Sequence, residues 1–131
     1  MDQSLESPGQ QALAEIFHRL FQLSRAEPAP ALELRLDRLE RLRAALAENE
    51  TRFAAAISAD FGHRSTTETV IAETMLVLGE IKHAVRHLKT WMAPQRISTT
   101  LQFAPAKNRL IPQPLGVVGI IAPWNYPLQL T

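Results

Sequence analysis

Hydrophobic residues in the first part of the chain recur every three or four positions, which is the spacing of one face of an α-helix. The first such helix is predicted to begin at Ser7, because Ser7 and Gln10 fit a capping box and Pro8 falls in the first turn. It is expected to end near Arg25, ahead of two prolines. Its apolar face carries Leu13, Ile16, Phe17, Leu20 and Phe21.

A second apolar stripe predicts a helix after Pro30, with charged residues between its leucines. Residues 49–51, Asn-Glu-Thr, mark a break or bend in this helix. Beyond it, Phe53 and Ile57 continue an apolar face towards Gly62, a residue suited to a C-terminal cap. The second stripe consists of Leu32, Leu36, Leu39, Leu42 and Leu46.

A long third helical segment is predicted to begin after Ser65. Ser65 and Glu68 have the spacing of a capping box, and Pro94 closes the segment. Helical spacing would turn one set of apolar residues of this helix towards a core: Ile71, Leu78, Ile81, Val85, Leu88 and Trp91.

Beyond Pro94 the pattern changes to short segments in which branched and polar residues alternate. Residues 96–103 and 108–111 have this character and are separated by a short segment that contains Pro105. Two short alternating segments with a turn between them are typical of a hairpin or an edge pair of strands.

Residues 117–122 are small or apolar with no polar alternation. Such a run is typical of a strand covered on both faces, as in the parallel sheet of an α/β domain. The sequence contains no second run like it, and an isolated strand would leave its backbone donors and acceptors unpaired. We therefore expect its partner strands to lie beyond Thr131, and the chain to be an N-terminal piece of a larger enzyme.

Composition narrows the class of protein. The hydrophobic content of 46% and charged content of 21% are those of a globular protein. The 14 basic and 13 acidic side chains give no long-range field that would attract nucleic acid or an anionic membrane. The acidic, polar start of the chain is unlike a signal peptide, and no stretch is long and apolar enough to span a bilayer, so a cytoplasmic location is expected.

A metal site on the long helix is one hypothesis. His83 and His87 lie four residues apart with Glu80 one turn earlier, a spacing that can place ligands on one face. The glutamate of a zinc protease motif is missing between the histidines, and no second ligand-bearing helix is evident. The pattern therefore favours solvated histidines over a metal site.

The arginines of the second helix could suggest phosphate binding. Acidic residues are interleaved with them, however, and Asp37 with Arg41 or Glu40 with Arg43 has the spacing of a local ion pair. The chain has no aromatic interleaving or net positive charge of the kind that nucleic-acid binding requires. We therefore expect ion pairs on a solvent-exposed face.

Residues 123–127 follow the apolar run directly, and Asn125 lies among them between Pro123 and Pro127. Loops at the carboxyl ends of parallel strands form the sites of α/β folds, and the two prolines restrict the backbone on either side. An asparagine carboxamide is a neutral donor suited to an oxygen that gains negative charge during a reaction. The alternative is that Asn125 caps the next helix while Trp124 belongs to a core; position and chemistry alone leave both open.

Residues 114–127, Pro-Leu-Gly-Val-Val-Gly-Ile-Ile-Ala-Pro-Trp-Asn-Tyr-Pro, resemble the segment that identifies the NAD(P)-dependent aldehyde dehydrogenase superfamily. Further segments are similar to the N-terminal helices of its class 3-like branch, which includes bacterial coniferyl aldehyde dehydrogenases. These are residues 38–42, 59–62, 80–81 and 88–92, followed by Pro94.

The resemblance implies an α/β fold: the N-terminal helical part of an aldehyde dehydrogenase, then a short hairpin and the first strand of an incomplete Rossmann-like parallel sheet. Residues 1–95 would be N-terminal helices of the cofactor-binding domain. Residues 96–112 would start the oligomerisation hairpin, and residues 113–131 would form the first strand and active-site loop. A homodimer is implied for the full-length protein.

The resemblance also assigns roles to single residues. Asn125 would be the catalytic asparagine that stabilises the oxyanion. Ile121, Ala122, Pro123 and Trp124 would bind the cofactor, NAD or NADP, as the wall beside its nicotinamide and ribose. The substrate would be a small aldehyde, aromatic and of the coniferyl type, oxidised to the carboxylic acid.

The family reaction also needs a nucleophilic cysteine and a glutamate that activates water. This sequence has no cysteine and does not extend to that glutamate, so we expect it to be inactive alone. The competing hypothesis is a free-standing helical interaction module whose C-terminal strand adds to the sheet of a partner.

Overall fold

The computed structural model describes residues 8–131 of the chain. These residues belong to two compact units. One contains the first helix and residues 113–119, and the other contains residues 31–112 and 120–131. The candidate site lies entirely within the second unit.

Helices dominate the described residues. They are α1 (Pro8–Ala26), α2 (Leu32–Glu48), α3 (Glu50–Phe61), α4 (Thr66–Thr69) and α5 (Met75–Met92). A π-helical segment, Val70–Thr74, joins α4 to α5 without a break, and the short strands β1 (Gln95–Ile97) and β2 (Asn108–Leu110) follow. None of these helices is both long and apolar enough to cross a bilayer.

The predicted first three helices are confirmed. α1 ends at Ala26, one residue beyond the predicted end, while its expected cap Ser7 lies outside the described residues. The predicted break occurs at Asn49, which separates α2 from α3. Gly62 ends α3 as predicted: its φ of 84° is in the left-handed region that glycine adopts without strain, and its N–H donates to the Ala59 carbonyl.

The helix after Ser65 is also confirmed, but its predicted capping box is wrong. Ser65 occupies the N-cap position with extended backbone, yet its side chain makes no capping hydrogen bond. The reason is the other member of the box, since Glu68 pairs with Arg64 at 3.5 Å (Oε1 to Nη2) instead of reaching back towards Ser65.

A small core forms where α2 packs against α5 and α3 packs against the π-helical segment. Its buried apolar residues are Leu46, Ala54, Ile57 and Ile81. Of the residues expected to face a core, Ile81 is buried and Leu78, Val85 and Leu88 are half-buried, but the prediction is wrong for Ile71 and Trp91, which are exposed. A π-helical turn accommodates an extra residue, so the apolar stripe of α5 does not continue straight through to Ile71.

The predicted hairpin is confirmed in a shorter form. β1 and β2 are antiparallel, with Arg96 opposite Arg109, and both strands are exposed. A 3₁₀ turn, Leu101–Phe103, occupies part of the connection.

The apolar run 117–122 is not a paired strand in this structure. Within residues 8–131 the only sheet is the pair β1–β2, so no neighbouring strand is present to accept the backbone hydrogen bonds of this run. The Rossmann-like parallel sheet therefore remains a prediction.

Candidate functional site

Asn125 lies in a turn that follows an exposed apolar segment. The Ile121 side chain is 99% exposed and Trp124 is 90% exposed, while Ala122 is half-buried and Pro123 is exposed. Asn125 is itself exposed, and residues 126–129 are half-buried. The chain therefore changes from exposed to half-buried immediately after Asn125.

Arg64 and Glu73 anchor the backbone around this turn. Arg64 Nη1 donates a hydrogen bond of 2.7 Å to the Asn125 carbonyl. Glu73 Oε2 accepts hydrogen bonds from the backbone N–H groups of Leu128 at 2.7 Å and Gln129 at 3.2 Å. The main chain is thus held on both sides of residues 126–127.

The same two side chains form an ion pair with each other. Arg64 Nη1 lies 3.1 Å from Glu73 Oε1, and the two side chains are 4% and 0% exposed. Their mutual contact lacks hydrogen-bond geometry, and the arginine hydrogen is directed to the Asn125 carbonyl instead. The guanidinium also contacts the rings of Phe61 and Tyr126, with its carbon 5.0 and 4.7 Å from the ring centroids.

Glu73 acts as a cap for the helical turn that begins at Tyr126. The Leu130 N–H donates to the Tyr126 carbonyl at 3.1 Å, which is the i to i−4 bond of an α-turn. The first N–H groups of such a turn have no partner within it. Pro127 has no N–H, and the Glu73 carboxylate accepts from the next two residues, Leu128 and Gln129.

The π-helical segment delivers Glu73 to this position. Glu73 and Thr74 lie within it, Thr69 directly precedes it, and all three are fully buried. π-helical turns of this kind are frequent at functional sites because they redirect side chains from the ordinary helical faces. Here the redirected side chain is that of Glu73, whose carboxylate accepts hydrogen bonds from the Leu128 and Gln129 N–H groups.

The Asn125 carboxamide is available to form hydrogen bonds with a ligand. Within residues 8–131 it has no hydrogen-bond partner, because the bond between Arg64 and Asn125 is made to the backbone carbonyl of Asn125. The alternative, in which Asn125 caps the next helix and Trp124 is core, finds no support here, because Glu73 makes the capping contacts and Trp124 is exposed. A fixed backbone with a free carboxamide suits a group that donates to a bound substrate.

A cavity of about 520 Å³ opens beside this turn. Asn125 and Tyr126 line one part of it, and the loop and helix start around Arg64 line the rest. The other lining residues are Phe61, His63, Ser65 and Glu68.

The polar residues of the long helix and of α2 make local contacts. No group of three or more histidine, cysteine, aspartate or glutamate side chains within residues 8–131 could hold a metal ion. His83 and His87 instead stack on each other with ring centroids 4.1 Å apart, and Trp91 stacks on His87. The predicted local ion pairs of α2 are confirmed: Asp37 with Arg41 at 3.8 Å and Glu40 with Arg43 at 2.6 Å.

Sequence patterns alone missed Arg64 and Glu73. One signal was present for Glu73, because it is the only charged residue between Glu68 and Glu80, in an otherwise apolar or neutral run. A lone charge in such a run predicts burial, and a buried charge needs a partner. Nothing in the pattern indicates that the partner is Arg64.

Residues 26–131 match the family model described as the aldehyde dehydrogenase family. The chain is 44% identical over 106 residues to a probable coniferyl aldehyde dehydrogenase of Pseudomonas aeruginosa, covering 81% of this chain and 22% of that protein. It is 44% identical over 105 residues to a coniferyl aldehyde dehydrogenase of a Pseudomonas species, covering 79% of this chain and 21% of that protein.

A plant relative is more distant. The chain is 36% identical over 99 residues to aldehyde dehydrogenase family 3 member H1 of Arabidopsis thaliana, covering 76% of this chain and 20% of that protein. The chain thus spans about a fifth of the length of the curated relatives it matches, and it corresponds to their N-terminal part.

Proposed function

Because the chain belongs to the aldehyde dehydrogenase family, we propose that it supplies the oxyanion-stabilising part of an enzyme that oxidises an aldehyde to the carboxylic acid with NAD(P)⁺. The observation that carries this proposal is the Asn125 turn, in which the backbone is anchored and the carboxamide has no partner within residues 8–131. Oxidation by this route adds a nucleophile to the aldehyde carbon, which leaves negative charge on the aldehyde oxygen.

Asn125 is proposed to donate its carboxamide N–H to that oxygen. The donor is neutral, so it stabilises the developing charge without forming a charged pair with the substrate beforehand. An aspartate at this position would place a negative charge against the oxyanion. Because Arg64 binds the Asn125 carbonyl, the backbone that carries the donor is already fixed, and only the side-chain torsions have to be ordered at the moment of reaction.

Ile121, Ala122, Pro123 and Trp124 are proposed to form part of the cofactor wall. They carry no charge, and the Ile121 and Trp124 side chains are almost fully exposed in this chain. Exposed apolar groups of this kind suit packing against the nicotinamide and its ribose. The NAD or NADP bound there would supply the hydride acceptor of the reaction.

The remaining parts of the proposal rest on the relatives. Their names support a coniferyl-type aromatic aldehyde as the substrate. We also propose the domain roles expected from the resemblance, with residues 96–112 starting an oligomerisation hairpin of a homodimer. The 131 residues contain no cysteine, so they are expected to show no aldehyde oxidation alone.

A chimaera tests this function directly. Residues 26–131 replace the matching residues of the Pseudomonas aeruginosa relative, and NADH or NADPH formation is followed with coniferyl aldehyde. The chimaera is expected to be active, and Asn125→Ala is expected to lower kcat about 100- to 1,000-fold, as loss of an oxyanion donor does.

Matched variants separate the donor from its surroundings. Asn125→Asp, which is nearly isosteric but charged, is expected to lower kcat at least as much as Asn125→Ala. Trp91→Phe, on an exposed part of α5, serves as the control that leaves kcat unchanged. An inactive chimaera, or full activity after Asn125→Ala, would contradict the proposed function.

A further inference from the structure

We infer that Arg64 and Glu73 are positioning residues, which act on the reaction only by fixing the backbone that presents Asn125. This inference rests on the proposed role of Asn125. Glu73 is fully buried, and its carboxylate accepts from the backbone of residues 128–129. Arg64 lines the cavity, but its side chain is only 4% exposed. Its guanidinium is engaged by the Asn125 carbonyl and by the Glu73 and Glu68 carboxylates.

The two contacts constrain different parts of the turn. Arg64 holds the Asn125 carbonyl, which fixes the peptide plane that follows the asparagine. Glu73 holds two successive N–H groups three and four residues later. Because these contacts come from groups that are themselves ion-paired at 3.1 Å, a shift in one alters the position of the other.

Burying the end of a helix does not require a buried ion pair such as Arg64 and Glu73. A pair of buried charges has a large desolvation cost, and well-packed apolar residues of similar volume often give equal or higher stability. What apolar residues cannot supply is directed hydrogen bonds to the Asn125 carbonyl and to the Leu128 and Gln129 N–H groups. We therefore expect the function of the pair to be to fix the geometry of the turn.

Amide hydrogen exchange of the full 131-residue chain tests the contact itself. In the unaltered chain the Leu128 and Gln129 amides are expected to be protected. The double variant Arg64→Met/Glu73→Leu, which leaves no unpaired buried charge, is expected to speed their exchange at least about tenfold. The Phe53 amide, bonded to the Asn49 carbonyl within the helical region, serves as the internal reference and should not change.

Two further variants make the test specific. Glu73→Gln keeps an acceptor oxygen at the same reach, so it should retain part of the protection. Glu40→Leu/Arg43→Met makes the same chemical change in an exposed ion pair and should leave both amides as they are. Absence of protection in the unaltered chain, or unchanged exchange in the double variant, would overturn the inference.

Kinetics of the chimaera connect the contact to the reaction. Arg64→Met/Glu73→Leu is expected to lower kcat about tenfold while the KM for the aldehyde stays within about twofold, because a misplaced donor weakens transition-state contacts more than substrate binding. An equal loss in the surface control would overturn the inference. The proposed function fails separately, if Asn125→Ala has no effect, whatever the exchange data show.

Discussion

Two ion pairs in the helical region show that the distance between two charges does not by itself determine their role. Arg43 and Glu40 on α2 approach to 2.6 Å, while Arg64 and Glu73 are 3.1 Å apart. The closer pair has side chains that are 53% and 48% exposed, whereas the wider pair is almost completely buried. Water competes for the first pair and is excluded from the second, so the wider pair carries the greater energetic consequence.

The difference extends to what each pair holds. The α2 pair links residues three positions apart that the helix already keeps close. The buried pair joins the start of one helical segment to its π-helical turn and then to residues 125–129, more than fifty positions away. Breaking the first pair should therefore alter a helix surface, and breaking the second should release the Asn125 turn.

The largest effect is expected from Glu73→Ala. The substitution removes the buried carboxylate partner of Arg64 and leaves only the exposed Glu68 carboxylate, 3.5 Å away. Loss of a buried partner costs about 3–5 kcal/mol of the free energy of unfolding. Urea denaturation of the 131-residue chain, followed by circular dichroism, measures this loss. A loss below about 1 kcal/mol would mean that Arg64 finds another partner or reaches water, and the contrast between the pairs would fail.

A smaller effect is expected at the turn that leads to Arg64. Gly62 has a φ of 84°, so Gly62→Ala is expected to reduce the free energy of unfolding by about 1–2 kcal/mol. Gly79 in α5 provides the matched control, because its φ is helical and an added methyl group meets nothing within 4 Å. Gly79→Ala should raise stability by up to about 1 kcal/mol, and the same sign for both substitutions would refute the assigned geometry.

The smallest effect is expected from Arg43→Met. An exposed i, i+3 pair contributes about 0.2–0.5 kcal/mol, so the urea midpoint should scarcely change. Repeating the measurement in high salt tests the reason, since screening should remove even this difference. A loss comparable with that of Glu73→Ala would show that burial does not distinguish the two pairs.

The helices could be predicted because their information is local. The spacing of Leu32 to Leu46, the break at Asn49 and the glycine cap at Gly62 each depend on neighbouring residues, and each is confirmed. The capping box at Ser65 was wrong because Glu68 has a competing partner, Arg64. Ile71 was misplaced because a π-helical turn leaves no periodic signature of its own.

The candidate site could be predicted only in part, because only part of the information that defines it is local. The motif located Asn125, and the structure gives it an anchored backbone and a free carboxamide. The anchors themselves depend on contacts between residues 55 to 61 positions apart, which no local pattern encodes. The strand predicted over residues 117–122 has no partner strand within residues 8–131, and its apolar side chains are largely exposed.

The most direct test of the whole account is a double-mutant cycle in the chimaera, with kcat measured for Glu73→Gln, Asn125→Ala and their combination. If Glu73 acts through the Asn125 carboxamide, Glu73→Gln lowers kcat severalfold when Asn125 is present and has no further effect once Asn125→Ala has removed the donor. Equal losses in both backgrounds would show that the two residues act independently, and would contradict the account.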